Sequence, residues 1–192
     1  LATWVINMDD GSRRTLGGFD RRPTGFCSST SSGEYHGPGR GAGNSINALL
    51  DAYTLAKETR YLAKAEELIC RCIHPKDVIA QRHLDNVEHH WSYLVFLQIL
   101  GKYLDLKVEA RDLDFMYSYA RASLLHYAAW MLEHEVPYKG ILDRVEIPTE
   151  TWPAHDIRKS NVFKFAAKYA LEPFRSAYIQ KAEAFFNACI AD

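Results

Sequence analysis

The sequence predicts an all-α fold of three helical hairpins behind a long N-terminal loop. Three observations carry that expectation. One apolar pattern occurs three times: Tyr61-Leu62, Ala65, Leu68-Ile69 and Cys72 return as Tyr178-Ile179, Ala182, Phe185-Phe186 and Cys189, with a looser copy at Tyr119-Ala120, Ser123, His126-Tyr127 and Trp130. The leading tyrosines stand at an almost constant spacing, and a fixed period of this size built from helix pairs marks a helical-hairpin repeat. Each copy also follows a more uniformly apolar segment, and each such segment follows a loop rich in His, Arg, Asp, Asn or Trp.

The elements follow in order. Leu1 to Met8 reads as the end of a helix closed by Asp9-Asp10-Gly11, as expected of a piece of a longer protein. Residues 9–43 hold nine glycines and two prolines around Phe19, Arg21, Arg22, Phe26, Tyr35, His36 and Arg40. A loop of that length in a compact domain usually serves function, so residues 1–43 are expected to pack on the repeat domain formed by residues 44–192. The first helix is expected from Asn44-Ser45, good N-cap residues, to Ala56. Its partner, Arg60 to Ile73, is one-sided, with Lys64, Glu66, Glu67 and Arg71 outside, and His74-Pro75 ends it. Asp85-x-x-Glu88 reads as a capping box opening a third helix through Trp91 to Leu100. That helix is apolar nearly all round, as befits one surrounded by others. A fourth helix is expected from Arg111 to Glu133, then a loop over 136–153 with Pro137, Pro148 and Pro153. The last two run over Ile157–Ala170 and Phe174–Ala191.

At 192 residues the chain is long enough for one good core and needs no second domain. A formal net charge of −1 argues against a general nucleic-acid binder. No apolar run approaches the roughly 20 residues of a membrane span. Cys70 and Cys72 point to different sides of one helix, and Cys27 lies in the loop, so a disulfide framework or a metal cluster is not expected. His83, Glu88, His89 and His90 are ligand types, but no His-x-x-x-His pair puts two on one helical face. No cofactor is expected: Gly37-Pro38-Gly39-Arg40-Gly41 lacks the strand and the Gly-Lys-Ser/Thr ending of a nucleotide loop.

Buried inner helices alternating with one-sided outer ones suit an α/α toroid or, alternatively, an α–α superhelix. This hairpin rhythm resembles the six-hairpin glycosidase and polysaccharide-lyase toroids, including heparinase II/III-like proteins, three hairpins making half such a ring. In an inner–outer array the loops entering the inner helices share one mouth. Here those loops carry Glu34-Tyr35-His36 and Arg40, then His89-His90-Trp91, then Trp152-Pro153-Ala154-His155-Asp156 and Arg158. Aromatic faces (Tyr35, Trp91, Tyr93, Trp152) suit sugar rings. Arg40, Asn44, His90, Arg158, Lys159 and Asn161 suit hydroxyls and the carboxylate or sulfate of an acidic sugar.

Two chemistries fit. In β-elimination His36, Tyr35, His89 or His155 is the base and Arg40 or Asn44 neutralises a uronate. In hydrolysis two carboxylates among Glu34, Glu88 and Asp156 flank the bond. Each residue has a plainer reading too: Trp91 as core packing, Glu88 as part of the capping box, Asp156 as a helix cap. The expected function is therefore binding or cleavage of an oligo- or polysaccharide by lyase or hydrolase chemistry. The rival is a non-catalytic helical repeat that docks a protein partner through the same aromatic loops.

Overall fold

The computed structural model describes residues 1–8, 37–145, 147–149 and 151–190. These residues are all-helical, with no strand among them. The elements are α1 (Ala2–Met8), α2 (Arg40–Ala56), α3 (Thr59–Cys72), α4 (Val87–His90), α5 (Tyr93–Glu109), α6 (Phe115–His134), α7 (Thr151–Ala154), α8 (Asp156–Tyr169) and α9 (Phe174–Ile190). Short 3-10 turns cover Ile79–Arg82 and Tyr138–Arg144. Three hairpins, α2–α3, α5–α6 and α8–α9, make the expected repeat.

Side-chain pairing fixes how the hairpins stand. A Cβ at Gly43 of α2 would lie 3.1 Å from the Phe96 Cα of α5, while Lys102 further along α5 reaches Asn47 (2.7 Å) and Asp51 (2.6 Å) of α2. The numbers rise together, so α2 and α5 run parallel. The same holds between α5 and α8, where Gln98 meets Arg158 at 3.2 Å and Asp105 meets Lys168 at 2.8 Å. Gly101 sits between these contacts, so close to α8 that a Cβ there would fall 2.2 Å from Phe165 Cγ. The three inner helices thus form a row with α5 in the middle, and α3, α6 and α9 pack outside them. Their N-termini share one end of the array; the turns 57–58, 110–114 and 170–173 share the other.

The inner helix α5 is buried through five consecutive residues, Tyr93 to Leu97, as its uniform apolarity predicts. Of the repeat positions of α3, Tyr61, Ala65, Leu68, Ile69 and Cys72 are buried and Leu62 is half-buried; in α6 Ala120, Ser123 and Tyr127 are buried, while Tyr119, His126 and Trp130 are half-buried. In α9 Tyr178, Ala182 and Phe185 are buried, whereas Ile179 and Phe186 are exposed.

Three expected boundaries move. Helix α2 begins at Arg40 rather than Asn44: glycines 41 and 43 are helical, and the close approach of Gly43 to α5 outweighs the poor helix propensity of glycine. The capping box does not form, because Asn86 rather than Asp85 is the N-cap of α4 and makes no side-chain cap. The helix expected to run through Trp91 is broken into α4 and α5. Asp114, not Arg111, opens α6, its carboxylate accepting the Tyr117 amide at 2.8 Å.

Buried ions tie the hairpins together. The Lys107 ammonium of α5 is held by Asp112, by Asp114 at 2.9 Å and by Glu66 of α3 at 3.4 Å. Arg82 donates to Asp77 at 2.7 Å, and Tyr127 of α6 donates to the other Asp77 oxygen at 2.8 Å. Arg121 grips the Tyr169 carbonyl at the end of α8 with two N–H groups, at 2.9 and 2.7 Å.

Candidate functional site

The end of the array where the inner helices begin brings two of the three expected loops into contact. Trp91, on the turn between α4 and α5, stacks on His155 with centroids 4.8 Å apart and planes 26° from parallel. Trp152 of α7 meets the same imidazole edge-on at 5.8 Å. The Arg158 guanidinium lies 5.9 Å from the Trp91 ring centroid and donates to Gln98. The indole N–H of Trp152 donates to the Ile147 carbonyl at 3.1 Å, which fixes the ring beside Tyr138 (5.5 Å between centroids). We call this group of Trp91, Trp152, His155 and Arg158 the aromatic shelf.

Its electrostatics are unusual in two respects. Arg158 is half-buried, yet among the described residues it pairs with no carboxylate; its one hydrogen-bond acceptor is the neutral Gln98 amide. Such a guanidinium retains donors for an incoming anion. Next to it, burial and the Arg158 charge hold the His155 imidazole below its ordinary pKa, so the ring is neutral at neutral pH. His155 Nδ1 is buried without a hydrogen-bond partner.

Under the shelf lies a buried ionic floor. The Lys159 ammonium, fully buried on α8, sits 2.9 Å from Glu135 Oε2 and 3.2 Å from Asp156 Oδ1, the latter a charge contact without hydrogen-bond alignment. It also donates to the Val136 carbonyl at 2.6 Å and stands 3.4 Å from the Tyr138 ring centroid. Tyr93 of α5 donates to the other Glu135 oxygen. Asp156 Oδ2 accepts the Tyr138 amide at 2.9 Å. Two carboxylates share one ammonium, and burial pushes the Asp156 carboxyl up from its ordinary value, although Lys159 and the Tyr138 amide pull it down. Burial first, and then the Glu135 charge, raises Tyr93 and Tyr138 as well, so both stay neutral phenols.

The expected site residues divide accordingly. Trp91, Trp152, His155 and Arg158 converge. Asp156 adjoins them but is fully buried, committed to the Tyr138 amide and to Lys159. Arg40 and Asn44 are exposed on the first turn of α2, and neither shares a hydrogen bond or ring contact with the shelf among the described residues. His90 is half-buried on α4. Glu34, Tyr35 and His36 lie outside the described residues, as does the side chain of His89. Lys159 and Tyr93, read from the sequence as ligand-gripping and stacking groups, belong to the floor.

Glu135 and Tyr138 were not among the expected residues. The one hint in the sequence is the Asp156–Lys159 pair, which falls three residues apart on one helical face and calls for further buried partners. Among the described residues no group of three His, Cys, Asp or Glu side chains is placed to hold a metal ion, and no helix is long and apolar enough to cross a membrane. Compared with known proteins, the chain matches no family model, no curated protein and no solved structure.

Proposed function

We propose that the aromatic shelf is a carbohydrate site that binds, and is equipped to cleave, an oligo- or polysaccharide containing acidic sugars. The observation that carries this reading is the juxtaposition of two indoles with a half-buried guanidinium that, among the described residues, has no carboxylate partner. Flat apolar faces suit the C–H faces of pyranose rings, and Arg suits bidentate capture of a uronate carboxylate.

The arrangement favours β-elimination over hydrolysis. Hydrolysis asks for two available carboxylates, and Asp156 is buried and already engaged. Elimination needs a neutral base beside a cation. In that step His155 takes the C5 proton of the uronate, the C–H electrons form the C4–C5 double bond, the C4–O bond breaks, and the departing oxygen takes a proton from water, the imidazolium later returning its proton to solvent. Arg158 offsets the charge that builds on the carboxylate. The resemblance of the hairpin rhythm to lyase toroids is in line with this reading, and the residues carry it on their own terms.

The test is calorimetric binding of neutral and uronic-acid oligosaccharides, followed by ultraviolet absorbance for the unsaturated product. Arg158→Gln should weaken the acidic ligand about tenfold or more, a loss of ~1.4 kcal/mol, and spare the neutral one. His155→Gln should abolish the product signal while binding persists. Equal binding of acidic and neutral sugars by Arg158→Gln and the wild type would overturn the reading.

A second reading, a helical repeat that docks a protein, rests on the opposite end. Leu55, Leu113, Phe115, Leu171 and Phe174 are all exposed there, at or beside the three inner-to-outer turns. If glycans give no response, and paired Phe115→Ser and Leu171→Ser changes alter the behaviour of the protein in solution, this reading replaces the first.

A further inference from the structure

The shelf and the floor are mechanically joined. Asp156 accepts the Tyr138 amide, Tyr138 packs on Trp152, and Trp152 meets His155, which stacks on Trp91. One carboxylate therefore anchors the start of the 3-10 turn, whose Tyr138 ring packs beside Trp152 of the shelf. It does so inside a cluster with one more acid than base, since Glu135 and Asp156 share Lys159.

We propose that Asp156 is a proton-operated strut: when it takes a proton, its grip on the Tyr138 amide slackens and the ring of Trp152 shifts relative to Trp91 and His155. A charged acceptor makes the stronger hydrogen bond, about twice that of a neutral one. Protonation turns the first into the second and releases Lys159 toward Glu135 and the Val136 carbonyl, its two remaining partners. The cluster is then balanced, one ammonium against one carboxylate. The shelf is drawn tight at neutral pH and loosened on acidification.

Other ionisable groups around Asp156 are few. From α5 comes Tyr93; from the segment after α6, Glu135; from the 3-10 turn, Tyr138; on α8 itself, His155, Arg158 and Lys159. Helix α9 contributes the Phe185 ring, 5.2 Å from the Lys159 ammonium and 5.5 Å from that of Lys181. The phenols are held neutral by burial and by the Glu135 charge. Burial places the Asp156 titration above its ordinary value of 3.8. The inference concerns the device and holds whatever ligand the shelf takes.

The test follows the Tyr138 amide and the Trp152 indole N–H of isotopically labelled protein by NMR as the pH is lowered. Both signals should move together with one midpoint above 3.8. Glu135→Gln should shift that midpoint down by removing a neighbouring anion, and Asp156→Asn should abolish the coupled movement. His155→Gln controls for the imidazole and should leave the midpoint in place. Should Asp156→Asn fail to fold, the Glu135→Gln shift decides alone. A midpoint unmoved in Glu135→Gln, a titration persisting in Asp156→Asn or lost in His155→Gln, or a Tyr138 response without one at Trp152 would each overturn the proposal.

Discussion

Lys159→Met is the sharpest probe of how this end of the molecule is held together. The wild-type ammonium is completely buried, faces two carboxylates and donates to the Val136 carbonyl. Methionine approximates its length and leaves the aromatic contacts with Tyr138 and Phe185 in place, so the change removes charge and hydrogen bonding more than volume. Removing one partner of a buried ion pair costs about 3–5 kcal/mol, because the remaining charge is left uncompensated. Against a total of roughly 5–15 kcal/mol for a domain, that is a large share.

The pH dependence follows from sign. Without Lys159 the folded-state Asp156 carboxyl rises further above its unfolded value. A carboxyl raised on folding disfavours the fold as pH climbs through that interval, and protonation removes the penalty below it. The deficit measured by urea denaturation, with far-ultraviolet circular dichroism as the signal, should be full at neutral pH and shrink at mildly acid pH. The triple variant Lys159→Met, Glu135→Gln, Asp156→Asn should recover most of the loss, since neutral replacement of a whole buried ionic group is often harmless. A neutral-pH loss below about 1 kcal/mol, or one indifferent to pH, would refute the buried-ion account.

Two further outcomes test other parts of the fold. Gly101→Ala places a methyl 2.2–2.6 Å from three atoms of the Phe165 ring, and Cγ lies too near the α8 backbone to swing away. The overpacking cost of about 1–3 kcal/mol exceeds the gain of about 1 kcal/mol from better helix propensity, so the melting temperature should fall; a rise would show that α5 and α8 part readily. Arg158→Gln should bring the His155 pKa back up toward 6.5, since it removes the cation that, after burial, holds the imidazole down. NMR of the ring protons reads this directly, and an unchanged midpoint would separate Arg158 from the shelf.

Much of this architecture was written locally. The outer helices announce themselves because one stripe must be apolar and the other wet, as Leu68 and Ile69 against Lys64 and Glu67 show. The buried α5 is legible for the opposite reason, since it has no wet stripe. The sharing of one end by the mouth loops follows from hairpin alternation alone, so Trp91, Trp152, His155 and Arg158 could be grouped before any coordinates. Tertiary contacts that no local pattern encodes decided the rest. Gly41 and Gly43 look like loop residues until α5 is laid against them. Trp91 looks like core until its helix breaks at Trp91-Ser92 and turns the ring toward His155. Arg40 and Asn44 share the mouth in topology but not the shelf.

The division of labour between Asp156 and Arg158 shows why residue type alone misjudges a site. Both are charged, both start the same helix, and both looked like ligand-facing groups. A carboxylate buried beside an amide donor and an ammonium is shut off from a ligand and acts by holding Tyr138 in place. A guanidinium lying over an indole, with a neutral amide as its acceptor, keeps donors free. The fold gathers Glu135, Asp156 and Lys159 into one buried cluster and leaves Arg158, among the described residues, without a carboxylate partner. An acidic ligand supplies Arg158 with that partner and a neutral one does not, so the contrast between uronate and neutral oligosaccharides is the experiment on which the functional reading turns.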